Sequence, residues 1–156
     1  MDPTGEIKKI ISAIIRQNLP PETWSWLAEK CVLGNHSIQQ LNTGFVSMPR
    51  KTGRSVIHFT KEQAEALSLA RPDFIIDNWT VDRLCRVWLL LHIDAAKKDH
   101  FFHSIENLFL SAEMNELVAL YSSLPVLPWP ELWRNRCAEG IRSNIGIVLE
   151  AIICNN

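Results

Sequence analysis

Arg136, Glu139 and Arg142 recur every third residue near the end of the chain. If the segment is helical, a step of about 100° per residue gathers Asn135, Arg136, Glu139, Arg142, Ser143, Gly146 and Glu150 into one arc. Two readings fit that arc. Arginines held by carboxylates present planar, pre-oriented donors to a ligand carboxylate or phosphate, and Pro128, Trp129, Pro130 and Trp133 would supply an apolar wall beside them. The other reading is a solvated face laced by pairs such as Arg136 with Glu139, each worth only ~0.2 to 0.5 kcal/mol. Asn144 falls on the opposite, apolar side. Its amide needs a partner there, and a backbone group left free at the neighbouring Pro-rich joint is the expected one.

A second basic group stands near residue 50. Arg50, Lys51 and Arg54 surround Gly53, and a small residue among cations lets backbone N–H groups approach an anion while the side chains neutralise it. The segment is not a GxxxxGK[ST] loop, and a basic surface loop is more often only solvated. His92 projects with Cys85 and Trp88 and is expected to be a core imidazole with a backbone partner. His100 and His103 share a face near Asp99 and Glu106, a spacing that serves a metal only if further ligands arrive from another element. HExxH, GxSxG and activated-cysteine patterns are all missing from the sequence. No catalytic residue, cofactor or metal is therefore assigned. The expected protein is a non-catalytic binder of a partner or small metabolite. The competing expectation is an enzyme acting on a phosphorylated or prenylated small molecule, with Glu139 as general base and the arginines as an anion clamp; it requires a closed cavity joining Glu139 and Arg142 to His92 or His103.

The elements that must position these residues read as helices. Ile7, Ile10, Ile11, Ile14 and Ile15 form an apolar stripe. Pro20 and Pro21 then start a helix carrying Trp24, Leu27 and Cys31, which stops at Gly34 and Asn35. Ile38, Leu41, Phe45 and Met48 carry a third helix up to Pro49, after which PRKTGRS reads as a loop. Thr60 with Gln63 is a capping-box pattern for a fourth helix ending near Ala70. Thr80 is placed to cap a helix that is apolar nearly all round, from Leu84 to Ile93, and therefore central. Phe101 to Phe109, Met114 to Leu124, and Cys137 to Ile152 give three more. Ser55 to Phe59 alone has a trace of alternation. The expectation is an all-α single domain over residues 1–156, about eight helices in antiparallel pairs, arranged as a short HEAT-like superhelix or an irregular bundle.

Composition sets the outer limits. The chain has 156 residues, 47% of them hydrophobic and 21% charged, which suits one packed core. A formal net charge of -1 gives no global field to draw it onto nucleic acid. No run reaches the ~18 apolar residues of a membrane span. Four cysteines without CxxC or ligand spacing fit thiols in a reducing compartment, so the cytoplasm is the expected location. Trp24, Trp26 and Trp133, if exposed, would mark a homo-oligomer interface.

ELVALYSSLPVLPWPELW followed by RCAEGIRSNIGIVLEAI resembles the EboA family, and FVSMPRKTGR fits a weaker upstream pattern of the same family. The resemblance covers about half the chain. It implies a bacterial pathway that processes or moves metabolite precursors, with partners that include a UbiA-like prenyltransferase and a TatD-like hydrolase. It carries no established catalytic residue, only motif positions, among them Glu116, Tyr121, Arg136, Glu139, Arg142, Ser143 and Asn144. Trp129 stands where the family pattern has Tyr, and the chain ends at Asn156 where the pattern continues into a Pro-containing tail, as a shortened chain would.

Overall fold

The computed structural model describes residues 3–72 and 74–142. Its fold is all-α: α1 (Pro3–Asn18), α2 (Pro21–Leu33), α3 (Ile38–Thr52), α4 (Lys61–Ala70), α5 (Val81–Leu91), α6 (Lys98–Ser111), α7 (Met114–Ser123) and α8 (Arg134–Arg142), with short 3-10 turns at Leu124–Val126 and Pro130–Trp133. The stretch from Ser55 to Phe59 forms no strand. It makes one antiparallel bridge, Val56 with Thr80.

α5 is the centre, because it packs against α1, α2, α3 and α7. Of its eleven residues only Arg83 escapes burial. Around it the isoleucines of α1, Leu27, Leu41, Phe45, Phe101, Ile105 and Leu120 join one continuous apolar cluster. Each such side chain contributes roughly 1.5 to 3 kcal/mol on burial. The start of α5 is held differently from the expected Thr80 cap. Thr80 makes no side-chain cap bond; instead Val81 donates its N–H to Ser55 O at 2.8 Å, and Ile57 donates to Trp79 O at 3.0 Å. The Thr60–Gln63 capping box is present, with both reciprocal bonds made.

α3 runs past Pro49 to Thr52, so Arg50 and Lys51 sit in its last helical turn and not in a loop. A proline inside a helix removes the N–H that would bond the carbonyl four residues earlier. Here that carbonyl is Phe45 O, and it accepts instead from Arg86 Nε of α5 at 2.9 Å. The helix survives its proline because a buried arginine replaces the missing donor.

Candidate functional site

Arg86 is the hub of a buried ionic cluster. Its side chain is 2% exposed, yet it faces two carboxylates: Nη2 lies 3.6 Å from Glu116 Oε2 and Nη1 lies 3.8 Å from Asp82 Oδ2. The Phe45 ring centre is 5.1 Å from its guanidinium carbon. Burial pulls the Arg86 guanidinium below its ordinary value, and Glu116 and then Asp82 push it back up. Asp82 and Arg86 come together because they stand four apart on one helix. Glu116 comes from the first turn of α7, where its other oxygen accepts the Glu113 N–H at 3.0 Å in a capping box. One side chain thus starts α7 and docks it on α5.

Beside the cluster opens a cleft of about 190 Å³, lined by Arg54, Asn78, Thr80, Asp82, Arg83, Asn115 and Val118. Arg83 lies over the Trp79 ring at 4.0 Å and donates through Nε and Nη2 to Ser122 Oγ at 3.1 and 2.7 Å. Reading α5 as apolar nearly all round misses Asp82, Arg83 and Arg86. The signal for them was present: an i,i+4 acid–base pair inside an otherwise apolar helix, in residue types seldom buried unless paired.

The residues singled out from the sequence are dispersed over the molecule. Arg54 and Glu116 belong to the cleft and the buried cluster. Arg50 and Lys51 are exposed on the last turn of α3, with Lys51 Nζ 5.8 Å from the Trp26 ring centre. Arg50, Lys51 and Arg54 do not share one loop around Gly53, since the first two belong to α3. Gly53, at φ 78°, closes α3 by donating its N–H to Pro49 O at 2.9 Å.

Arg136 is fastened between helices. Its Nε donates to Glu106 Oε2 of α6 at 2.7 Å, Nη2 pairs with the same oxygen, and Nη1 bonds Glu139 Oε2 at 2.9 Å. It also lies 4.6 Å from the centre of the Phe109 ring, which meets Tyr121 edge-on at 5.2 Å. Burial draws the Arg136 value down, but the Glu106 bond and the charges of Glu106 and Glu139 leave it above its ordinary level. Burial also raises Tyr121, against the opposing effect of Arg136. Glu139 is exposed, and neither it nor Arg136 lines the cleft above or the groove below. Arg142 is the last described residue, and Ser143 and Asn144 lie outside the described residues.

The Pro-rich joint forms a second concavity of about 440 Å³, lined by Arg71, Leu124, Pro125, Pro130, Trp133, Arg134, Cys137 and Ala138. Pro130 and Trp133 do supply an apolar wall, and Arg71 and Arg134 are the arginines that line the concavity with them, while Arg136 does not. Arg71 Nε donates to Pro125 O at 2.8 Å, which fixes it to the joint. Trp129 takes the left-handed backbone conformation, φ 58°. This turns its indole to Ala95 O at 2.9 Å, with Lys98 over the ring at 4.9 Å. Trp133 is buried and bonds Pro128 O at 3.3 Å. Trp24 packs on Trp88 at 5.0 Å and, like Trp26, is partly buried against the core. None of the three tryptophans that would mark an oligomer interface if exposed is exposed. His92 holds Trp88 O through Nδ1 at 2.8 Å, and burial lowers its value. His100 and His103 are exposed. Among the described residues no group of three or more His, Cys, Asp or Glu could hold a metal ion, and no helix is long and apolar enough to cross a membrane.

Comparison with known proteins matches residues 7–156 to the family model described as metabolite traffic protein EboA. No curated protein and no solved structure matches the chain.

Proposed function

The chain belongs to the EboA family, and from that premise we propose that it is a non-catalytic helical protein that holds a small amphipathic anion at its Pro-rich joint, within a bacterial pathway that processes or moves metabolite precursors. The family's description as metabolite traffic proteins supports the general role. The observation that carries the specific one is the joint groove itself. Its volume of about 440 Å³ is that of a small-molecule site, its floor is Leu124, Pro125, Pro130 and Trp133, and Arg71 and Arg134 flank that floor. An apolar body would lie on the prolines and the indole edge, and an anionic group would meet the guanidiniums.

The groove's chemistry favours holding over reacting. Cys137, the cysteine among its described lining residues, is raised above its ordinary value by burial, which keeps it as a thiol and a poor nucleophile. A groove open to solvent at a helical joint also suits transfer to a second protein, and a UbiA-like prenyltransferase or a TatD-like hydrolase of the same pathway is the partner proposed. Calorimetric titration with farnesyl monophosphate tests the reading. Saturable binding is expected, weakened at least about tenfold, some 1.4 kcal/mol, by Arg134→Glu and abolished by Ala138→Trp, which fills the groove from an exposed helical position. Absence of saturable binding, or binding that both variants leave unchanged in folded protein, overturns it.

A further inference from the structure

The cleft between the start of α5 and the first turn of α7 is separate from the joint groove and has a different chemistry. Asp82, 4% exposed, forms part of its wall. One carboxylate oxygen, Oδ2, lies 3.8 Å from Arg86 Nη1, while the other, Oδ1, is buried and, like that Nη1, has no hydrogen-bond partner among the described residues. Buried polar atoms are nearly always hydrogen-bonded, and one that is not marks a place where a partner belongs. The partner's nature follows from the surroundings. Arg86 is shared between Asp82 and Glu116, so it is Arg54 and Arg83 on the cleft wall that raise the potential there. A metal cation or an ammonium group would be repelled by them, whereas a hydroxyl can donate to Oδ1 without bringing charge. The side chains of Thr80, Asn78 and Asn115 add hydroxyl and amide groups that match further hydroxyls. Arg54 is exposed, so an anionic group can reach it from solvent. The volume of about 190 Å³ holds roughly six waters at ~30 Å³ each, the bulk of a three-carbon skeleton with its anionic group near the opening.

We infer that this cleft binds a small polyhydroxylated anion, a hydroxyl of which donates to Asp82 Oδ1 while its phosphate or carboxylate meets Arg54. The two sources of the anionic group are told apart by the probes. Calorimetric titrations compare glycerol 3-phosphate and glycerate with glycerol, which lacks the anion, and inorganic phosphate, which lacks the hydroxyls. At least one of the first two is expected to saturate the protein, and the better of them names the anionic group; glycerol and phosphate should each bind about tenfold more weakly or not at all. Arg54→Ala should weaken the productive probe about tenfold or more, the loss expected for a hydrogen bond to a charged group, and reduce its salt dependence. Asp82→Asn should weaken it similarly. Because Asp82 also pairs with Arg86, that variant is paired with Asn115→Leu, which narrows the cleft from the exposed side of α7, leaves the ion pairs intact and should abolish binding. No saturation by either polyol anion up to millimolar concentration overturns the inference. So does phosphate binding as tightly as glycerol 3-phosphate, or affinity unchanged in both Arg54→Ala and Asn115→Leu.

Discussion

If Arg86 stands in for the backbone donor that Pro49 lacks, the two residues must be energetically coupled. The perturbation is Arg86→Lys, measured with Pro49 intact and again with Pro49→Ala. In the first background the substitution keeps a positive charge between Asp82 and Glu116 but removes the Nε donor 2.9 Å from Phe45 O. That carbonyl then lacks a donor in a site where Phe45 is 1% exposed. Stranding a buried acceptor costs ~1 to 3 kcal/mol. In the Pro49→Ala background residue 49 regains an N–H, four residues after Phe45 and inside α3, so the carbonyl keeps an intrahelical donor. The cost of Arg86→Lys should therefore fall by about 1 kcal/mol, a typical net hydrogen bond. Arg86→Met should cost a further ~3 to 5 kcal/mol in both backgrounds, because it leaves Asp82 and Glu116 buried without a cation. Urea unfolding of the four proteins gives the cycle directly. Equal costs for Arg86→Lys in the two backgrounds, within about 0.3 kcal/mol, would show that the Phe45 bond is incidental and would refute the coupling.

Three further outcomes follow from the geometry. Burial holds His92 below its ordinary value of 6.5, so the unfolded chain binds more protons and stability rises with pH through the window between the lowered value and 6.5. Below that window the contribution is lost, and His92→Gln should flatten this part of the stability curve in urea unfolding at stepped pH. Glu106→Ala should destabilise the protein by ~1 to 2 kcal/mol because it removes the partner of Arg136 at a partly buried site, whereas Glu139→Ala, at an exposed one, should cost under ~0.5 kcal/mol; equal effects would show that Arg136 is not fastened by α6. Burial pushes the Cys31 thiol up to about 12 and raises Cys85 as well, so iodoacetamide should modify half-buried Cys137 well before either, with peptide mass spectrometry giving the order.

What the sequence made legible was periodicity, and what it concealed was pairing across elements. The apolar spacing of α1, the Thr60–Gln63 box and the dense apolar run of α5 each report a local rule, so the all-α fold and its central helix can be read without coordinates. Pro49 shows the limit of such rules. Locally it ends a helix, and the loop reading of PRKTGRS follows from it. The helix continues because a donor arrives from Arg86, distant in sequence, and no window around residue 49 contains that fact. The same blindness splits the expected site. Arg136 and Glu139 do share an arc, but the third member of their cluster is Glu106 on another helix, and it draws Arg136 into a structural tie. Arg54 looked like part of a local cradle with Arg50; once α3 is extended to Thr52, Gly53 turns the chain so that Arg54 reaches the cleft beside Asp82 while Arg50 stays on the helix surface. Residues close in sequence were thus separated by one helical turn, and residues on α5 and α7 were joined by a buried charge. Charge inside an apolar helix is the sign worth reading here: Asp82 and Arg86 could remain buried in α5 only if the rest of the fold supplied partners, and it supplies Glu116 and the Phe45 carbonyl but, among the described residues, no donor for Asp82 Oδ1.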